Sequence, residues 1–314
     1  MALASEASAT TEVFSGYPDA FGVLHDTTLC IGCRSCELAC NKVNSLPPPD
    51  RPFKDTTVLD VHRRTSPEKF TVVNKYPNPE NAEAPIFVKT QCNHCMEPAC
   101  ASACFVKALR KTPEGPVVYD ASLCVGCRYC MIACPFSIPT YEYNEPLTPR
   151  VQKCTLCYER IRDGGVPGCV EDCPVEAIVF GKRKDLLRLA HTRIQEHPDR
   201  YVDHVYGEEE VGGTNWLYIT HAPFETIGMR TDLGNTSAPD LTRDFLSSVA
   251  SVDILGPTFL LGLYAISKRR VAAADEEKAI EVEATVARKD GKGKVSTQAP
   301  AVKGPVAGSE EKHS

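Results

Sequence analysis

Several absences narrow this chain before any motif is read. Its 35 Lys and Arg stand against 41 Asp and Glu, a net charge of −6. The basic surplus on which nucleic-acid binding depends is missing, so that partner class is excluded. There is no glycine fingerprint of a dinucleotide fold, no P-loop and no nucleophile–base pair. The chain is therefore read as having no substrate chemistry of its own, and no catalytic residue is assigned. Residues 1–20 are rich in Ala, Ser and Thr and show neither a charged segment leading into an apolar run nor a twin arginine. They are expected to form a flexible tail without an export signal. Cysteine is absent before residue 30 and after residue 173.

Within those limits lie all 16 cysteines, in four groups of four. The first is Cys30, Cys33, Cys36 and Cys40; the second Cys92, Cys95, Cys100 and Cys104. The third is Cys124, Cys127, Cys130 and Cys134; the fourth Cys154, Cys157, Cys169 and Cys173. A disulfide framework suits small secreted chains, and cysteines two residues apart cannot easily pair with one another. Groups one and three have the C-x2-C-x2-C-x3-C spacing of bacterial ferredoxins, and Pro135 follows group three. Three thiolates from a tight loop wrap one cubane, and the fourth, on a helix that has begun, points away from it. Gly32 and Gly126 let backbone N–H groups approach sulfur.

Zinc is the rival ligand, and group four alone, with its eleven-residue insert, could hold it. The C-x2-C-x2-C loops suit a larger body, so the sixteen cysteines are read as ligands of four 4Fe–4S clusters. Asn41 and Phe105 stand where proline often follows, which removes no ligand. His94 lies inside group two, already complete, and is expected beside the cluster or in solvent. Arg34 and Arg128 hold equivalent places in groups one and three and are expected to be solvated.

The fold expected is α+β: two ferredoxin-like two-cluster units built of short strands and helices, followed by a single C-terminal transmembrane helix. The tail 1–20 leads to a four-cluster domain at 21–183 and an α+β extension at 184–244. Residues 245–267 form the membrane helix, and 268–314 a charged disordered tail. Two short strands are expected around Pro113-Glu114-Gly115, another at 177–181, an amphipathic helix at 184–197 and a strand at 214–220. Residues 41–91, with three consecutive prolines, read as an insertion covering a face or meeting a partner. The 23 residues of 245–267 just exceed the ~20 a membrane helix needs. Lys268, Arg269 and Arg270 follow, placing the tail in the cytoplasm and the cluster domain outside the cell inner membrane. Asp253 is expected to face a partner subunit.

From Leu24 to about Phe224 the chain resembles the four-cluster ferredoxin-type subunits of membrane-bound respiratory oxidoreductases. The resemblance rests on LHDTTLCIGCRSC, KTQCNHC, YDASLCVGCRYCMIACP, GGVPGCVEDCP, VYGEEEVGGT and the late apolar helix. Nearest are the electron-transfer subunits of hydrogenase-2-type nickel–iron hydrogenases, then the beta subunits of formate dehydrogenases. The resemblance implies that Cys30, Cys33 and Cys36 share a cluster with Cys173, and Cys154, Cys157 and Cys169 one with Cys40. It likewise implies that Cys92, Cys95 and Cys100 join Cys134, and Cys124, Cys127 and Cys130 join Cys104. It further implies electron relay between a catalytic subunit, a nickel–iron hydrogenase or a molybdenum or tungsten enzyme, and an integral quinone-reactive membrane subunit. Two other readings stay open: a soluble cytoplasmic polyferredoxin, and a metal-stabilised structural or binding module.

Overall fold

In a computed structural model of the protein, residues 17–79, 81 and 83–289 are described. Most of the expected N-terminal tail, and the charged tail from 290 on, lie outside the described residues. The chain divides into one compact unit ending at Asp244 and a second beginning at Phe245.

The first unit is a string of short elements. β1 (Phe21–Asp26) leads to α1 (Ser35–Val43), then β2 (Val72–Tyr76) and β3 (Ile86–Thr90). α2 (Ala99–Ser102), β4 (Leu109–Lys111), β5 (Val117–Tyr119) and α3 (Tyr129–Ala133) follow. Next come β6 (Thr140–Tyr141), β7 (Val151–Gln152), α4 (Tyr158–Arg162) and α5 (Gly168–Glu171). β8 (Ile178–Lys182), α6 (Arg183–Glu196) and β9 (Trp216–Ile219) complete the unit, and α7 (Ala238–Lys289) starts in it. Strands β2–β3, β4–β5 and β6–β7 are separate antiparallel pairs.

The one three-stranded sheet has the order β8-β1-β9, with β1 antiparallel to β8 and parallel to β9. β1 is central and buried along nearly its whole length, so both of its faces are covered. Alternation sends Val23 to one side with Trp216, Cys36 and Cys169, and Leu24 to the other with Leu217 and Ile219. Leu186, Ala190 and Ile194 of α6, four residues apart, close the Leu24 side. Each of those buried Leu and Ile side chains contributes roughly 1.5–3 kcal/mol. The sheet thus puts α6 on one face and the cysteine-bearing elements on the other.

Three expectations change here. Tyr17 to Ala20 are not free tail: the Ala20 N–H donates to the Tyr17 carbonyl, the Ala20 carbonyl accepts from Arg183, and Ala20 is fully buried. Residues 184–244, read as an α+β extension, share a sheet with the start of the chain, since β9 pairs directly with β1. The stretch 41–91 is no mere insertion either: β2 and β3 carry Val73, Ile86 and Val88 into the core.

The second unit belongs to α7, which is 52 residues long and so about 78 Å at 1.5 Å per residue. Ser237 caps it, its hydroxyl accepting the Asp240 N–H at 3.2 Å. An 18-residue window reaches a mean hydropathy of 1.7, and the side chains of Phe259, Leu260, Leu261 and Tyr264 are exposed. An apolar helix bare on its sides fits a membrane anchor. Pro257 lies inside it, and the neighbouring Thr258 hydroxyl donates to the Ile254 carbonyl at 2.6 Å. The helix runs past the expected 245–267 at both ends. Residues 268–289, expected to be disordered, are helical, because Ala, Glu, Lys and Val-rich sequence without Gly or Pro permits the helix to continue.

Candidate iron–sulfur centres

One backbone device recurs in all four cysteine groups. The residue two after the first cysteine is left-handed: Gly32 (φ 68°), His94 (φ 48°), Gly126 (φ 70°) and Leu156 (φ 53°). The turn aims that residue's N–H back at the sulfur just passed. Leu156 N lies 3.3 Å from Cys154 Sγ, and Gly126 N 3.4 Å from Cys124 Sγ. The Gly32 N–H likewise bonds Cys30. Successive N–H groups around a left-handed residue make a concavity that favours anions. Glycine adopts it freely; His94 and Leu156 adopt it at a cost of about 1–2 kcal/mol.

Helix packing then brings distant groups together. α1, with Cys36 and Cys40, packs on α5, with Cys169 and, just beyond it, Cys173. α2, with Cys100, packs on α3, with Cys130. The sulfurs acting on Cys30 are Cys173 and Cys33. Those acting on Cys40 are Cys154, Cys169 and Cys157. Cys95 feels Cys92, Cys100 and Cys134, whereas Cys130 feels Cys127, Cys104 and Cys124. A small cavity is lined by Cys92, Cys95, Cys100 and Cys134, together with Val117 and Ile138. Two further pairs act on one another: Cys169 on Cys36, and Cys92 on Cys154, these last two packing in one buried cluster with Ile138.

Burial pushes the Cys30 and Cys130 thiols up to about 11. The same burial takes Cys100 and Cys154 to about 12, and raises Cys36, Cys40 and Cys95 well above the ordinary range. Thiols so buried keep their protons near neutrality, so metal must displace them to bind. Cations among the sulfurs ease that step. Lys89 is buried and pulls Cys36 and Cys154 down against the effect of burial. Lys153 is buried too, its ammonium donating to the carbonyls of Val117 and Cys154. Lys111 donates to the His94 carbonyl at 2.9 Å.

This donor set fits 4Fe–4S clusters. Sixteen thiols, in four sets, surround turns that present N–H groups to sulfur. Among the described residues no three His, Cys, Asp or Glu side chains converge tightly enough to share a single metal ion. A cubane separates its ligands, one on each iron, where zinc would draw all four onto one atom.

His94 is fully buried, which discards the solvent alternative. Its Nδ1 accepts the Val117 N–H at 2.9 Å, while Nε2 has no hydrogen-bond partner among the described residues. Burial holds the ring well below the ordinary histidine range, so it is neutral. Arg128 is exposed as expected, near the rings of Tyr141 and Tyr143. Arg34 is not: it is 3 % exposed and bonds the Glu37 carboxylate, at 2.9 Å from Nη2, and the carbonyls of Pro52 and Asp55. The expectation of a solvated arginine fails because the 46–55 loop wraps over it. Lys89, Lys111 and Lys153 were not legible at all, since a lysine in or just beyond a strand usually points to water.

Fold and site together define a ferredoxin-type 4Fe–4S protein, and a model of the 4Fe-4S dicluster domain matches residues 84–183. The chain is 56% identical over 280 residues to a protein of Nitratidesulfovibrio vulgaris, covering 89% of this chain and 75% of that one. It is 36% identical over 262 residues to the hydrogenase-2 operon protein HybA of Escherichia coli O157:H7, covering 73% and 78%. It is also 36% identical over 202 residues to the iron-sulfur subunit of the nitrate-inducible formate dehydrogenase of Escherichia coli K12, covering 63% and 67%. The chain belongs to the family of iron–sulfur electron-transfer subunits of hydrogenase and formate dehydrogenase complexes.

Proposed function

We propose that the chain conducts single electrons through four 4Fe–4S clusters, each gripped by three cysteines of one group and the last cysteine of another. Cys30, Cys33, Cys36 and Cys173 hold the first; Cys40, Cys154, Cys157 and Cys169 the second. Cys92, Cys95, Cys100 and Cys134 hold the third; Cys104, Cys124, Cys127 and Cys130 the fourth. The observation that carries this reading is the cavity lined by three cysteines of group two and Cys134 of group three. Such clusters supply one-electron exchange at potentials between about −700 and +450 mV, tuned by charge, burial and hydrogen bonds to sulfur.

The linking sulfurs support a single row. Cys36 and Cys169 join the first set to the second, Cys154 and Cys92 the second to the third, Cys100 and Cys130 the third to the fourth. Cys33 and Cys127, at the two ends of that row, are exposed. Ile31 and Val125 beside them are exposed as well, a surface suited to docking another subunit.

The partners are a catalytic subunit of hydrogenase or formate dehydrogenase type and an integral quinone-reactive subunit in the cell inner membrane. The apolar part of α7 anchors the chain, with Lys268, Arg269 and Arg270 on the cytoplasmic side and the clusters outside. One preparation tests both halves of this reading. Membranes washed in carbonate should retain the protein, and detergent should release it with about sixteen irons and sixteen labile sulfides per chain. Release by carbonate alone contradicts the anchor; zinc in place of iron contradicts the relay.

A further inference from the structure

Lys89 is 1 % exposed, on β3, and its surroundings orient its charge without cancelling it. The ammonium donates to Gln91 Oε1 at 2.9 Å and stands 4.4 Å from the centre of the Trp216 ring. Gln91 is itself fixed: its Nε2 donates to the Tyr218 hydroxyl at 2.6 Å, and that hydroxyl donates to the Lys89 carbonyl at 3.1 Å. Gln91, Trp216 and Tyr218 are all buried. A neutral amide and an aromatic face hold a cation in place, whereas a carboxylate would neutralise it.

Among the described residues no carboxylate pairs with Lys89; the Trp216 ring that its ammonium faces packs in one buried cluster with Cys36 and Cys169, and the charged groups that act on it most are the sulfurs of Cys169, Cys36, Cys154 and Cys40. An ammonium buried without a countercharge is strongly unfavourable. The countercharge available here is the sulfur of the first two cysteine sets. Lys111 and Lys153 differ, because each holds a backbone carbonyl of a cysteine loop. Lys89 holds only a side-chain amide, so its charge serves no visible purpose in shaping a loop.

We propose that Lys89 is a fixed positive charge that raises the reduction potentials of the two clusters held by Cys30, Cys33, Cys36, Cys173 and by Cys40, Cys154, Cys157, Cys169. A cation at short range in a low-dielectric interior stabilises whichever state of its neighbour is more negative. Reduction adds a negative charge beside Lys89, so an electron is favoured on that half of the row. The inference rests on the four-cluster reading.

The test uses the full chain in its native complex, with Lys89→Met and Lys89→Arg, followed by redox titration monitored by electron paramagnetic resonance. Lys89→Met should keep its full iron and sulfide content while at least one midpoint potential moves to a more negative value. Lys89→Arg should return it towards the native value, which restored packing alone would not do. Unmoved potentials in a fully loaded Lys89→Met complex overturn the proposal. Should that variant lose iron, Gln91→Glu decides, because it sets a carboxylate against the ammonium: the same midpoints should fall, and their constancy overturns the proposal. Wild-type complex lacking the iron and sulfide of four clusters defeats the four-cluster reading instead.

Discussion

Arg34 and Arg128 occupy equivalent places in two groups of identical spacing and are both left-handed, yet one is buried and the other exposed. The difference lies outside the motif. Arg34 meets Glu37, which also accepts from Arg63 and from the Val73 N–H at 2.7 Å, tying α1 to β2. Burial pushes the Glu37 carboxyl up, but the hydrogen bonds from Arg63 and Arg34 outweigh it and hold the group below the usual carboxylate range. Removing one partner of a buried ion pair leaves the other uncompensated, at about 3–5 kcal/mol. Glu37→Ala should therefore lower the temperature at which the visible cluster absorption bleaches under anaerobic heating. An unchanged bleaching temperature contradicts a structural role for this pair.

The elements show why similar loops differ in tolerance. Gly32 and Gly126 share the same left-handed turn, so alanine strains either backbone by about 1–2 kcal/mol. At Gly32 a Cβ would also lie 2.5 Å from the Phe87 ring on β3, while at Gly126 its nearest neighbour would be the Tyr141 hydroxyl, at 3.0 Å. Gly32→Ala should lose iron from the first group, and Gly126→Ala should keep most of its content; equal losses in metal analysis contradict the packing argument. The hairpin at 109–119, the strand near 177–181, α6 and β9 were legible, because turn residues and apolar periodicity are local signals. β1 was missed, since its six residues reveal their burial only once β8 and β9 flank them. β2 and β3 were hidden in a stretch dominated by prolines and charges. The four cysteine groups could be read from spacing alone, whereas the burial of Lys89 and Lys153 could not, because it depends on which groups fold over which.

At the scale of the whole molecule, inorganic clusters substitute for a large core. Among its described residues the first unit has one three-stranded sheet and three two-stranded pairs, too little regular structure to fix so many loops without cross-links. In the proposed pairing those cross-links are long-range: Cys30 with Cys173 would tie the start of the unit to the loop before β8, and Cys134 would tie group three back to group two. The proposed interleaving would also turn separate loops into one row, with neighbouring sets joined by sulfurs that act on one another and the exposed Cys33 and Cys127 at its ends. The most direct measurement of this interleaving is the electron paramagnetic resonance spectrum of the dithionite-reduced Cys134→Ala variant beside those of Cys92→Ala and Cys124→Ala. The interleaved arrangement predicts that Cys134→Ala alters the same cluster signal as Cys92→Ala and spares the one altered by Cys124→Ala. A Cys134→Ala spectrum matching that of Cys124→Ala would mean that each group holds its own cluster, and the account would be wrong.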